Sequence, residues 1–380
     1  DGQHPDVCLP KNLECCSWCF DSSKGILRTI QILTVRFYNV PLLGWNRGQV
    51  IDMDTPSVAS CLFIFFRSSL MPAVLCRLPN HVGDCCMCLP ALRLLAASGY
   101  TPALVGKRWA EDLMAGMGWR FDPIEGKISE DLSRIRYLAQ NANASQGLLF
   151  PNSFGSALLF KLGHLKTTGL RTDMRSFILD NGIPEPGTMH EVERFFYVAH
   201  EAIKSWGGTP AFDKVPERLS LVLMKRHEAA AKNLIEQYKI PARFALLAPI
   251  ARGKHQGKVK HWKHFNDLVS PLRDKGIAPI VFPSLREEAL AKEACPDATI
   301  LPPTTLGNFA AIAKRAQVVV ANDSGVSHIA AAVGAKQITL VGVTDTKRTG
   351  PWNPDAIVLG KNGQWPSINE VIAVISKMLG

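Results

Sequence analysis

The stretch Val318-Val-Val-Ala-Asn-Asp-Ser-Gly-Val-Ser-His-Ile-Ala-Ala-Ala-Val-Gly334 limits what this chain can fold into more than any other. A short apolar run stops at a polar turn, and a run of small residues follows, so it reads as a buried strand entering a helix through Gly325. Such a junction leaves backbone N–H groups and the positive end of a helix dipole facing outward, an arrangement suited to a diphosphate. Asp323 would repel phosphate, so it either caps the helix or orients a donor group; a plain N-cap is the simpler alternative, since Asn, Asp and Ser are common there. A second strand, Gln337-Ile-Thr-Leu-Val, ends in another polar, glycine-containing loop that runs to Trp352.

The same alternation extends backward to Met71. Met71–Leu78, Thr101–Val105, Gly147–Phe150, Phe244–Ala248 and Ile277–Phe282 read as strands. Helices are expected at Cys86–Ser98, Trp109–Met117, from Ser153 to Leu162, 189–206, 225–239, His264–Lys275, Arg286–Ala294 and Leu306–Ala316. Repeated units of this length predict an α/β protein with parallel sheets and helices on both faces. The expected domains are 71–240 and 241–380, with the break near Tyr238-Lys-Ile-Pro-Ala242. Residues 1–70 lack sustained periodicity and read as an atypical extension that precedes a natural start at Met71. The alternative is an amphipathic anchor built on Leu62–Phe66 and Arg67.

A chain of 380 residues is long enough for two domains, and its net charge of +10 points to an acidic partner. No segment offers about 18 uninterrupted apolar residues, so no membrane span is expected. Of the ten cysteines, Cys16 and Cys19 have metal-like spacing, but no second pair accompanies them. Cys85, Cys86 and Cys88 read as small buried residues, and the set as free thiols in a reducing compartment.

Three further stretches carry candidate chemistry. In Leu78-Pro-Asn-His-Val-Gly-Asp-Cys the first strand stops and Asp84 falls where a helix begins, at the strand end that lines the ligand crevice of an open α/β sheet. It either accepts a proton there or caps the helix. Arg252-Gly-Lys-His-Gln-Gly-Lys-Val-Lys-His-Trp262 is the densest basic cluster, and its glycines let backbone approach a ligand. Asn152 and Ser153 lie at another strand end, followed by Lys161, Lys166, Arg171 and Arg175; these read either as an anion-binding face or as a solvated basic one.

Asp323-Ser-Gly-Val-Ser-His328, Gly342-Val-Thr-Asp-Thr346, Gly83-Asp84 and Lys260-His-Trp262 occur in an order that resembles the bacterial lipopolysaccharide heptosyltransferases, glycosyltransferase family 9. The resemblance runs from about Met71 to the C-terminus. The chain departs from the family pattern at Ile250, where a glycine is usual, and at Val343 and Thr346, where prolines are usual. The resemblance implies a GT-B fold, two Rossmann-like domains facing across a cleft, with the last helix (about Ile368 to Met378) packing back onto the first domain. It implies an inverting transfer of heptose from ADP-L-glycero-D-manno-heptose to the lipopolysaccharide inner core, at the cytoplasmic face of the inner membrane as a peripheral protein. Asp84 would be the base. Lys260, with Lys258 sharing or displacing its role, and Asp323, Ser324 and Gly325 would hold the donor, Glu287 its ribose. His328 would either donate to a phosphate or pack beneath the loop. Asn152, Ser153, Lys161, Lys166, Arg171 and Arg175 would meet the anionic acceptor. No Asp-x-Asp constellation in a suitable loop suggests a metal, so no metal or cofactor beyond the ADP-sugar substrate is expected.

Three other functions remain open to the sequence: a nucleotide-sugar epimerase of related architecture, a basic nucleic-acid-binding protein, and a family member that has lost catalysis. The second is disfavoured because the lysines cluster at expected strand ends and no nucleic-acid module is recognisable.

Overall fold

Two six-stranded parallel sheets organise the chain in a computed structural model, which describes residues 71–251, 254–255, 257–361 and 363–380. Residues 1–70, with Cys16, Cys19 and the Leu62–Phe66 run, lie outside the described residues. The first sheet holds β1 (Ala73–Arg77), β2 (Thr101–Gly106), β3 (Arg120–Pro123), β4 (Gln146–Leu149), β5 (Lys166–Leu170) and β6 (Asn181–Ile183), in the order β3-β2-β1-β4-β5-β6. The second begins with β7 (Phe244–Ala248). After a small antiparallel hairpin of β8 (Lys254–His255) and β9 (Lys258–Val259) it continues with β10 (Ala278–Val281), β11 (Thr299–Ile300), β12 (Val318–Asn322), β13 (Gln337–Val341) and β14 (Ile357–Gly360). Its order, β11-β10-β7-β12-β13-β14, repeats that of the first.

This order reverses the direction of winding between β1 and β4 in one sheet and between β7 and β12 in the other. A crevice opens at such a switch point, outside the carboxyl ends of the strands. Asp84, Asn152 and Ser153, the basic loop before Trp262 and the Asp323–His328 turn follow these four strands, while the Gly342–Thr346 loop follows β13 and Glu287 follows β10. β7, β12 and β13 are buried along their whole length. They lie in mid-sheet with helices on both faces, which is why they read as apolar runs without alternation.

The helices are α1 (Val82–Met87), α2 (Leu89–Ala97), α3 (Trp109–Met114), α4 (Ile128–Asn141), α5 (Phe154–Leu162), α6 (Glu191–Ser205), α7 (Lys225–Gln237), α8 (Val269–Asp274), α9 (Glu288–Ala294), α10 (Leu306–Arg315), α11 (Gly325–Ala332), α12 (Thr346–Thr349) and α13 (Ile368–Leu379). The helix expected from Cys86 begins earlier and is broken at Cys88 into α1 and α2. Pro90 falls in the first turn of α2, where its missing N–H costs nothing. The helix expected over His264–Lys275 is reduced to a 3-10 turn (Asn266–Leu268) followed by α8.

The segment before Tyr238 touches both lobes: Arg93 donates to the Ser220 carbonyl, the Leu221 N–H bonds the carbonyl of Ala332 at the end of α11, and α7 then packs against α10. The terminal helix α13 does not return to the first lobe. Its Val371 and Ile375 are buried with Trp262, Leu268 and Ile338 in the core of the second. The lobes meet instead through α1 against α11 and α3 against α10, within one apolar cluster that includes Leu92, Phe196, Phe309 and Ile329.

Candidate active site

Asp84 stands on α1, just beyond the carboxyl end of β1. Its side chain keeps about a third of its surface exposed (35%), and the imidazole of His81 lies 3.4 Å from its carboxylate. The carboxyl titrates above the ordinary range. Burial is the main cause and the nearby charge of Glu191 adds to it, while His81 and Lys260 oppose it. A partly desolvated carboxylate with one face open is a stronger proton acceptor than one in water.

Opposite it stands the strand–turn–helix motif of the second lobe. Ser324 is the N-cap residue of α11, and no side chain caps the helix; the Ser327 N–H turns back to the Ser324 carbonyl at 3.1 Å, and the Gly325 and Val326 N–H groups have no side-chain cap. Asp323 neither caps nor faces outward. It is buried, and its carboxylate accepts a 2.5 Å hydrogen bond from the Thr344 hydroxyl. Thr344 belongs to the loop after β13, so the second sequence motif holds the first. The loop ends at Asp345, whose side chain caps α12 by accepting from the Lys347 N–H at 3.0 Å.

His328 packs beneath the loop. It is buried, with Nε2 4.0 Å from the Asp323 carboxylate, and burial lowers its pKa to about 4, so the ring is neutral at physiological pH. Its ring edge lies against Gly83 of the opposite lobe, where a Cβ would sit only 2.5 Å from Cδ2. Gly325 repeats the arrangement from the other side: a Cβ there would stand 2.9 Å from Val82 Cβ. The two glycines therefore let α1 and α11 meet end to end, with Asp84 and the uncapped N-terminus at one junction.

Lys260 follows the β8–β9 hairpin, half-buried and close enough to Asp84 and His328 for its charge to act on both. Lys258 belongs to β9 by its backbone; its side chain lies outside the described set. The loop is tied down by groups the sequence did not single out for it. The fully buried Asn322 accepts from the Trp262 backbone N–H at 2.8 Å and donates to the carbonyl of Pro249 at 2.9 Å, and the Trp262 indole donates to Pro366 at 2.8 Å. Asn322→Ala would strand a buried N–H and a buried carbonyl, each costing about 1–3 kcal/mol. A loss of about 2–6 kcal/mol in urea unfolding is expected, and a change under about 1 kcal/mol would rule this tie out as a significant one. Glu287 is the N-cap residue of α9 beyond β10, half-buried, and accepts from the Ser284 hydroxyl at 2.5 Å.

The first-lobe basic residues separate into different places. Asn152 and Ser153 lie at the carboxyl end of β4, and Ser153 caps α5 by accepting from the Ser156 N–H at 3.3 Å. Arg171 is exposed at the carboxyl end of β5. Arg175 has no exposed surface; its Nε donates to Leu170 at 2.9 Å and its Nη2 to Asn152 Oδ1 at 3.2 Å. It supports Asn152 from beneath. Lys166 opens β5 and Lys161 ends α5, which puts both at the amino edge of the sheet, away from the crevice; Lys161 is paired there with Asp180 at 2.5 Å.

Pattern reading missed a cavity of about 610 Å³ beside the β1–β4 switch point, lined by Arg77, Asn80, Lys107 and Ser129 together with Ser153 and Ser156. Arg77 is 3% exposed and donates to Asn80 Oδ1 at 2.7 Å. A buried arginine inside a strand gives no periodic signal, and Lys107 and Ser129 sit in loops whose convergence depends on strand order. Also missed was a bridge between the lobes: Glu191 accepts from Arg348 at 3.2 Å, and the His190 ring bonds the Gly350 carbonyl at 3.0 Å and lies tilted against the Trp352 ring, centroids 4.8 Å apart. On the other flank Asp112 of α3 accepts from Gly307 N–H at 2.8 Å and from His227 at 3.1 Å. Burial would raise the Asp112 pKa, but these bonds and one from Thr305 outweigh it and hold the carboxyl below its usual range.

Two parallel sheets of the same strand order, meeting through helices at their carboxyl ends, define the GT-B class of glycosyltransferase folds. The profile of glycosyltransferase family 9 (heptosyltransferase) matches residues 135–374, and the chain belongs to that family. It is 22% identical over 304 residues to lipopolysaccharide heptosyltransferase 2 of Escherichia coli K12, covering 74% of this chain and 86% of that one. Over a shorter span of 105 residues it is 32% identical to E. coli lipopolysaccharide heptosyltransferase 1, covering 26% of this chain and 33% of that protein. Among solved structures, E. coli ADP-heptose lipopolysaccharide heptosyltransferase II superposes with a TM-score of 0.66 at 23% identity, over 81% of this chain and 98% of the other. E. coli heptosyltransferase WaaC with ADP gives a TM-score of 0.63 at 22% identity, over 80% and 99%. These likenesses establish the fold, and the family profile establishes a glycosyltransferase.

Proposed function

We propose that this glycosyltransferase moves heptose from ADP-L-glycero-D-manno-heptose to an acceptor sugar of the lipopolysaccharide inner core, with inversion at the anomeric carbon. The observation that carries the reading is the meeting of Asp84, a partly desolvated carboxylate at one switch point, with the uncapped N-terminus of α11 at the other. Asp84 takes the proton of the acceptor hydroxyl as its oxygen bonds to C1. The bond from C1 to the donor phosphate breaks, and its electron pair leaves on ADP. Lys260 and the first-turn N–H groups of α11 neutralise the charge that grows on the diphosphate, while Thr344 fixes Asp323 behind them. Glu287 is suitably placed beyond β10 for a ribose hydroxyl.

The cavity lined by Arg77, Asn80, Lys107 and Ser153 suits the acceptor's carboxylates and phosphates, and it adds Arg77 and Lys107 to the acceptor residues read from sequence. Relatives named for lipopolysaccharide heptose transfer, and a neighbour solved with ADP, support the choice of donor and acceptor. Such an acceptor would place the protein on the cytoplasmic face of the inner membrane. The test is ADP release from ADP-heptose with heptose-deficient lipid A core. Acceptor-dependent release is expected; binding of ADP without any release, on either the first or the second inner-core acceptor, would refute the reading.

A further inference from the structure

Beside that cavity the first lobe presents apolar side chains to solvent. Met174 and Phe177 are 86% and 77% exposed and Phe154 is 40% exposed, with the Phe154 and Phe177 rings 6.0 Å apart. Single exposed hydrophobes are ordinary, but several gathered on one rim mark an interaction surface. The backbone here is held so as to present them. Asp173 and Met174 adopt left-handed φ values of 51° and 55°, which cost energy in residues with a Cβ. Arg175 holds the turn from beneath. Its N–H bonds the Thr172 carbonyl at 3.2 Å, its carbonyl accepts from Ile178 at 3.0 Å, and its buried guanidinium grips Leu170, Pro151 and Asn152.

We propose that Phe154, Met174 and Phe177, flanked by the exposed Arg171, dock this lobe onto an anionic lipid surface. Phe154 lies in the chain between Ser153 and Gly155, both of which line the cavity, so the apolar rim is continuous with it. On the function proposed above, on which this alignment rests, the cavity takes the charged sugars of a lipid whose acyl chains remain in the membrane and pass across Phe154. Among the described residues no helix is long and apolar enough to cross a membrane, so contact through this part of the chain is made from the surface. The charge of the chain, +10, favours an anionic leaflet. Asp173, also exposed, offsets part of the local charge of Arg171, so the apolar groups are the larger contribution.

The test is co-sedimentation of the full chain with vesicles of phosphatidylethanolamine and phosphatidylglycerol, comparing wild type with Met174→Ser/Phe177→Ser. Wild type sediments, and the double variant loses on the order of tenfold or more in partitioning, since two large apolar groups no longer enter the interface. Both side chains are exposed, so the thermal midpoint and turnover of a deacylated, water-soluble acceptor stay at wild-type values. Turnover of acceptor embedded in vesicles falls with the binding. Wild type remaining in the supernatant, or a double variant that sediments equally, overturns the proposal. So does a wild-type dimer that binds no vesicles and that the double variant dissociates, since the rim would then be a protein interface. Vesicle binding requires no sugar transfer, so a chain that binds vesicles and transfers nothing refutes the function and leaves the docking surface standing.

Discussion

Asp84→Ala is expected to lower the rate of sugar transfer by about 10²–10⁴-fold, the range a positioned general base contributes, while ADP affinity stays at the wild-type value. Asp84→Asn should behave alike, because the amide keeps the shape and removes the basicity. The pH profile gives an independent readout. Burial and Glu191 raise the Asp84 pKa, so the ionised, competent form is lost on acidification sooner than for an ordinary carboxylate. The acid limb of kcat/KM therefore lies at a higher pH than the usual carboxylate range, and Glu191→Gln moves it downward by removing one of the raising charges. ADP release against pH for the wild type and Glu191→Gln checks this. A wild-type rate in Asp84→Ala moves the base elsewhere in the cleft.

The elements legible in the sequence were those whose signal is local. β7, β12 and β13 are short apolar runs bounded by polar turns, and α6 carries apolar residues at helical spacing that face α2, so each declares itself without reference to the rest of the chain. β3 and α4 were passed over. Arg120-Phe-Asp-Pro is an edge strand with no fully buried position, and α4 has a strongly polar surface with only Asp131, Ile135, Leu138 and Ala139 buried. The placement of α13 was misjudged for a different reason. Its apolar face fits either lobe, and only the position of Trp262 and Leu268 in three dimensions decides between them.

For the site the same division holds. Gly83, Asp84 and the Asp323–His328 turn lie at the ends of β1 and β12, and strand ends at a switch point converge whatever the loops do, whereas Lys260 depends on the path of the β8–β9 hairpin. Charge without position was a poorer guide: Lys161 and Lys166 lie at the amino edge of the sheet and Arg171 and Arg175 beyond the carboxyl end of β5, because the length of that strand separates the two pairs. Arg77 and Asn322 show the complement. Each is a polar residue at the end of a buried strand, where local pattern does not show what surrounds it: Asn322 ties the chain at Trp262 and Pro249, while Arg77 holds Asn80 and lines the cavity.

Gly83→Ala is expected to be nearly as damaging as loss of the base, although the residue carries no chemistry. An ideal Cβ would lie 2.5 Å from His328 Cδ2, whereas ordinary contact begins at 3.4 Å, so α1 and α11 must separate by about 1 Å. The imidazole cannot yield, because it is buried in the loop it supports. Overpacking of this kind costs about 1–3 kcal/mol of stability, and a displacement of about 1 Å between reacting groups lowers turnover by about 10²-fold. Since the shift moves Asp84 relative to the donor loop, kcat should fall while ADP affinity changes little. The cause is separable from a general loss of fold by a double-mutant cycle on urea stability. His328→Ala opens the space that the new methyl needs, so Gly83→Ala costs less in that background than in the wild type, and the coupling has the sign of relief. Additive losses would mean that the two residues do not meet as described, and a Gly83→Ala protein with wild-type turnover would show that transfer does not depend on the spacing of this junction.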